Sequence, residues 1–158
     1  MVCLLLISSF SFIFLALIGY FSGPVTSMYV AFVFDILNFL FSKDGTVFVP
    51  WYTLLEIAGG FIYGITLYRN SSLWVKNPLA DTVLKCAVCK TLINVLINIC
   101  GNSTLNIYLY DVAKNGIWVY MLPRIIKNLT LLPIEIAVLV LIITFVRKEK
   151  QFSVWLNK

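Results

Sequence analysis

Met1 to Phe41 carries a single charged side chain, Asp35, and is otherwise almost wholly apolar. A run of that kind is long enough to cross the ~30 Å hydrocarbon core of a bilayer, where a helix needs about 20 apolar residues. A soluble fold would have nowhere to hide it. The rest of the chain follows suit: 61% of all residues are hydrophobic and only 12% are charged, about half the charged share of a water-soluble domain. With 158 residues and about 20 per crossing, there is room for five or six helices in one domain. The basic excess of +5 is scattered and forms no patch, so no nucleic-acid partner is expected; in a membrane protein such an excess reports orientation.

Breaks in hydropathy set the expected spans. Helices are predicted over about 8–21 and 25–41, separated by Gly23-Pro24. A secretory signal peptide is the alternative for the first, but it lacks a basic start and a small-x-small cleavage site. The polar stretch Ser42 to Thr46 precedes a third span over about 51–68, with Gly59-Gly60 and Gly64; small residues four apart let backbones approach closely in lipid. Arg69 to Asp81 is a polar loop containing the helix-breaking Asn77-Pro78. A fourth span covers about 82–100. Gly101 to Leu122 reads as a mixed connection, and a fifth span over 123–145 opens at Pro123 and stops at Arg147-Lys148-Glu149-Lys150. The expectation is one all-α, polytopic membrane bundle over 1–158 with about five transmembrane helices.

Charge orients it. A cytoplasmic C-terminus gathers Arg69, Lys76, Arg147, Lys148, Lys150 and Lys158 on one side. The other side then holds only Lys43, Lys114, Arg124 and Lys127, as the positive-inside rule favours. The loops around Asp44 and Asn115 are then extracellular.

Several chemistries are closed off. The chain has no histidine, the commonest general base and zinc ligand. Cys86-x-x-Cys89 has no second pair, and Cys3 and Cys100 lie far from it, so four apolar thiols in lipid is the expected reading and no metal is expected. No phosphate-binding loop G-x-x-x-x-G-K-[ST] is present, so any energy source belongs to a partner. No catalytic set and no cofactor motif emerges.

What remains is a pattern of polar groups at membrane depth, each a functional-site hypothesis because it is costly there. Arg124, Asn128 and Glu135 fall within about 40° on a helical wheel, with Lys127 alongside and Glu135 roughly 16 Å deeper than Arg124. Lys90, Asn94 and Asn98 form a second stripe at i, i+4, i+8; Asp35 and Asn38 form a third. Three stripes on separate helices predict a shared polar cavity with a cationic outer end. The bland alternatives are snorkelling of Arg124 and Lys127 to the interface and asparagines that tie helices together. Lys90 and Glu135 come out at similar depth, which predicts an ion pair.

One segment is specific enough to compare with a family. MLPRIIKNLTLLPIE, Met121 to Glu135, resembles the last-helix pattern L-P-x-R-[LI]-I-K-N-x-x-x-[LM]-P-[IV]-[QE] of folate-specific substrate-capture (S) subunits of energy-coupling-factor (ECF) vitamin transporters. SFSFIFLALIGYFSGP, Ser9 to Pro24, is similar to that family's second helix, and FDILNFLF, Phe34 to Phe41, to its third, with the aspartate at Asp35. VPWYTLLEIAGGFIYGITLY, Val49 to Tyr68, resembles the lead-in F-x-P-G-[FY]-T-[LI], with Thr53 at its threonine and Trp51 in place of its glycine, followed by G-x-[IL]-Y-G. Glu56 departs from the pattern, and Asn102-Ser103 matches the fifth-helix Asn-Thr only loosely.

The resemblance implies a six-helix fold in which the five spans are helices two to six; the family's first helix is missing, and a misassigned start is the expected explanation in preference to truncation or loss. It implies capture of folate from outside at a multi-pass cell-membrane site. It also implies docking onto a module of one coupling transmembrane subunit and two ATPases. On that reading Arg124, with Lys127 and the helix N-terminus, suits the glutamate tail. Asn98, Asn128 or Asp35 suits the pterin, and Trp51 or Tyr52 stacks on the rings. The alternatives are an S subunit for another water-soluble vitamin, a small membrane enzyme, and a non-transporting structural membrane protein.

Overall fold

The computed structural model describes residues 2–41, 48–68, 76–110 and 117–148, all but a few of them helical. The helices are α1 (Val2–Phe41), α2 (Pro50–Leu67), α3 (Pro78–Leu92), a π-helical stretch (Ile93–Gly101) running directly into α4 (Asn102–Tyr110), and α5 (Ile117–Lys148). Among the described residues, three helical stretches are long and apolar enough to cross a membrane: Phe12–Phe41, Leu79–Leu109 and Ile117–Arg147. Their outward faces keep Leu40, Phe41, Trp118, Leu129, Leu141 and Phe145 66–80% exposed, a surface that water would not tolerate and lipid would. The Ser42–Thr46 turn, the loop residues 69–75, Asn115 and the tail beyond Lys148 lie outside the described residues.

Local chemistry explains where the helices begin and bend. α1 is two helical pieces joined at Gly23, whose φ of 83° and ψ of −174° no side-chain-bearing residue adopts at ease. The expected spans 8–21 and 25–41 lie on either side of it. Pro50 and Pro78 each occupy the first turn of their helix, where a missing N–H is harmless. Asn77 Oδ1 accepts from the Leu79 N–H at 3.3 Å and caps α3.

Four boundaries differ from expectation. α1 already runs from Val2 rather than from about residue 8, and α3 starts at Pro78, inside the stretch expected as a polar loop, because proline fits the first turn of a helix. The helix runs through Gly101 to Tyr110, because the chain widens into π geometry there. A Cβ on Gly101 would lie 2.6 Å from Leu55 Cδ2 and 3.1 Å from the Leu96 carbonyl, so the missing side chain makes room for both. α5 begins at Ile117, which places Pro123 and Pro133 inside it; proline is tolerated within membrane helices when neighbours compensate the freed carbonyls.

Packing is closest between α1 and α2. A Cβ on Gly64 would collide with the Pro24 Cα, one on Gly60 would come 2.7 Å from the Ser27 carbonyl oxygen, and one on Gly19 would come 2.9 Å from the Tyr63 carbonyl carbon. Backbone therefore lies on backbone, with small residues as the enabling feature. Beside this seam, Ala16, Cys86, Cys89 and Leu139 are fully shielded and join Tyr63, Ile93 and Ile143 in the core. The two α3 thiols act there as small apolar side chains.

Candidate functional site

Polar side chains meet at two levels between these helices. In the first set, Thr53 at the start of α2 is buried and donates from Oγ1 to Asp35 Oδ2 of α1 at 2.6 Å. One residue earlier, Tyr52 donates its hydroxyl to Asn106 Oδ1 of α4 at 3.0 Å, while Asn106 Nδ2 donates to the Asn102 carbonyl at 2.6 Å. The first turn of α2 thus touches α1 on one side and α4 on the other. Trp51, 57% exposed, points away from this junction, and Asn38 is also exposed.

The second set joins α5 to the α3 line. Asn98 Nδ2 donates to Asn94 Oδ1 at 2.9 Å, and Asn94 Nδ2 donates to the Asn128 backbone carbonyl at 3.4 Å. Both amides lie in the π stretch, with Asn94 buried and Asn98 half-buried. The acceptor adjoins Leu129, whose carbonyl is the one left without an N–H by Pro133 four residues on. Arg124, one turn before Asn128, stacks its guanidinium over the Tyr120 ring with 4.7 Å to the centroid, a planar-cation contact. Lys127 is exposed.

Below these amides lies the expected ion pair. Lys90 Nζ is 3.1 Å from Glu135 Oε2, with the lysine side chain 3% and the glutamate side chain 25% exposed. The same ammonium sits 3.7 Å from the Phe12 ring centroid and 5.9 Å from that of Tyr63. At the far end, Asp81 and Lys85 pair at 3.1 Å and Arg147 Nη1 donates to Thr82 Oγ1 at 2.6 Å, so the start of α3 is clasped to the end of α5.

Of the candidates read from sequence, the structure joins Asp35 with Thr53 and sets Asn98 and Asn128 on either side of Asn94. Arg124 is held by Tyr120, and Trp51 and Lys127 are left exposed. The Tyr52–Asn106 bond was not foreseen; its signal is the i, i+4 pair Asn102 and Asn106 in what reads as a loop. The ensemble offers amide donors and acceptors, the Asp35 carboxylate, the phenols of Tyr52 and Tyr120, and the Arg124 guanidinium. That chemistry can exchange hydrogen bonds and pair charge with a polar solute.

The sequence matches the family model of the ECF transporter substrate-specific component over residues 4–143. The chain belongs to that family. Its relatives include a protein of Leuconostoc mesenteroides named as folate transporter FolT, 26% identical over 134 residues, which make up 82% of this chain and 66% of that protein. A second, of Streptococcus mutans and with the same name, is 38% identical over 69 residues, 44% of this chain and 37% of that protein. The chain therefore spans less than two thirds of the length of the curated relatives it matches. An ECF substrate-specific component is part of a transporter and not an enzyme, in keeping with the absence of a catalytic set from the sequence.

Proposed function

We propose that this chain captures folate from outside the cell membrane and delivers it to an ATP-driven coupling module. As an ECF substrate-specific component it is a single multi-pass domain. Its crossings are the two pieces of α1, then α2, then the α3–α4 line, then α5, corresponding to helices two to six of a six-helix fold. The positive-inside rule places the α3 start and α5 end in the cytoplasm and the Thr53, Asn98 and Arg124 level toward the outside. The energy comes from a coupling transmembrane subunit and two ATPases.

The observation that carries the ligand class is the amide line Asn98–Asn94 ending on Asn128, one turn from Arg124. A pterin edge needs paired amide donors and acceptors, and a glutamate tail needs a guanidinium fork. The names of the two relatives point the same way. Asp35 and Thr53 supply a carboxylate acceptor and its fixed donor, Trp51 and Tyr52 aromatic faces, and Lys127 a second cation at the mouth.

The test is thermal protection of the purified protein by folate, with riboflavin and biotin inert, together with mass spectrometry of any ligand carried through purification. Protection by another vitamin instead would transfer the chain to that substrate. Failure to co-purify with coupling and ATPase subunits would remove it from transport.

A further inference from the structure

Lys90, a charged side chain of α3, meets three other helices at once. Its ammonium contacts Phe12 of α1, Tyr63 of α2 and Glu135 of α5, and it is almost wholly buried. A buried ammonium held between a carboxylate 3.1 Å away and a ring face 3.7 Å away loses Coulomb or cation–π energy when it is drawn along the helix away from them. It therefore fixes the axial register of α3 against α5. Asn94 lies one helical turn from Lys90 on the same face, and its bond to the Asn128 carbonyl, at 3.4 Å, is long and has no margin for a slip. A slide of even a fraction of the ~1.5 Å rise per residue would break it.

The local backbone raises the need for such a pin. The π turn starts at Ile93, between Lys90 and the amides, and a π stretch has an α-helical alternative of different phase. Pro133 lies between Asn128 and Glu135 on the facing helix, where it removes one rung of the backbone ladder. Both helices are thus weakened between the ion pair and the amides.

We infer that the Lys90–Glu135 pair, seated on Phe12 and Tyr63, is a positioning device that sets the register in which Asn94, Asn98 and Asn128 meet ligand. This rests on the proposed reading for the identity of the ligand, though not for the register itself. Neither residue touches the ligand, so its effect is transmitted through the amides. Isosteric neutralisation should then restore stability without restoring recognition, since a hydrophobic pair replaces a buried ion pair at little cost but carries no directional contact.

The experiment compares wild type, Lys90→Arg, Glu135→Leu and the double variant Lys90→Met/Glu135→Leu in lipid nanodiscs. Three readouts are followed: ligand-free thermal midpoint, folate affinity, and the distance between spin labels at the lipid-facing positions Val95 and Leu129 in a background with the cysteines changed to alanine. Glu135→Leu should lower the midpoint and the affinity together. The double variant should recover most of the midpoint, bind folate about tenfold or more weakly, and show a shifted or broadened Val95–Leu129 distance. Lys90→Arg, which keeps the charge opposite Glu135, should keep both affinity and distance close to wild type. A double variant with wild-type affinity and distance overturns the inference, as does an affinity that simply follows the midpoint across the series. If wild type does not bind folate, the folate reading fails by itself, and the label distances still decide whether the pair sets the register.

Discussion

Thr53 Oγ1 donates to Asp35 Oδ2 at 2.6 Å, which locks the start of α2 to the C-terminal third of α1 through the only charged residue between Met1 and Phe41. A half-buried carboxylate needs such a donor, and losing it leaves the oxygen unsatisfied. Thr53→Val, which keeps the shape and removes the hydroxyl, should therefore destabilise the protein by about 1–3 kcal/mol. The measurement is the thermal midpoint in nanodiscs. Asp35→Asn should be milder on stability, since an amide oxygen still accepts, but should weaken folate binding; an Asp35→Asn protein with unchanged affinity would take Asp35 out of the site.

Arg124 stacks on Tyr120 at 4.7 Å, which presents the guanidinium edge while covering one face. Arg124→Ala should cost about 1–3 kcal/mol in folate binding, the range for a charge-assisted contact. Lysine at this position should restore only part of it, because the fork is lost. The sharper check uses pteroate, which lacks the glutamate tail. Its affinity should be the same in wild type and Arg124→Ala, and an equal loss for both ligands would reassign Arg124 to the pterin end or to structure.

Gly59 and Gly64 make a matched pair for testing the α1–α2 seam. A Cβ on Gly64 meets the Pro24 backbone, which cannot turn aside, whereas a Cβ on Gly59 meets nothing within 4 Å. Gly64→Ala should cost at least about 1–3 kcal/mol, as overpacking does. Gly59→Ala should be neutral or slightly stabilising, since alanine is the better helix former by up to about 1 kcal/mol. Midpoint and the monodisperse fraction on size exclusion report both. Equal behaviour of the two variants would refute the close backbone approach.

Gly23 holds the bend with a φ of 83°, and a Cβ there would also press to 3.3 Å from the Tyr68 ring. Gly23→Ala should cost about 1–3 kcal/mol from backbone strain. Tyr68→Ala should relieve the ring contact but not the strain, so the double variant should stay well below wild type in midpoint.

Much of this was legible before any coordinates. The Lys90–Glu135 pair followed from depth alone, since two lone charges at one level in lipid have strong reason to meet. The Gly23-Pro24 break and the asparagine stripe followed from residue type and spacing. What escaped was decided by tertiary contact. Gly101 reads as a helix end, and only its packing on Leu55 turns it into the close of a π turn. Pro123 reads as a helix start, yet α5 begins before it at Ile117, because a proline inside a long apolar helix loses one rung and little else. Tyr52–Asn106 needed two helices to be placed before either residue had a partner.

The glycine seam has a consequence for motion. Where side chains mesh, a change of rotamer can absorb a shift; where Gly60 and Gly64 let backbone rest on Ser27 and Pro24, there is nothing to rearrange. α1 and α2 must travel as one block. The contact between α3 and α5 differs in kind: beside the apolar core of Cys86, Cys89, Leu139 and Ile143 it carries polar side chains, with Pro133 and the π turn among them, so rotamers and backbone there have room to adjust.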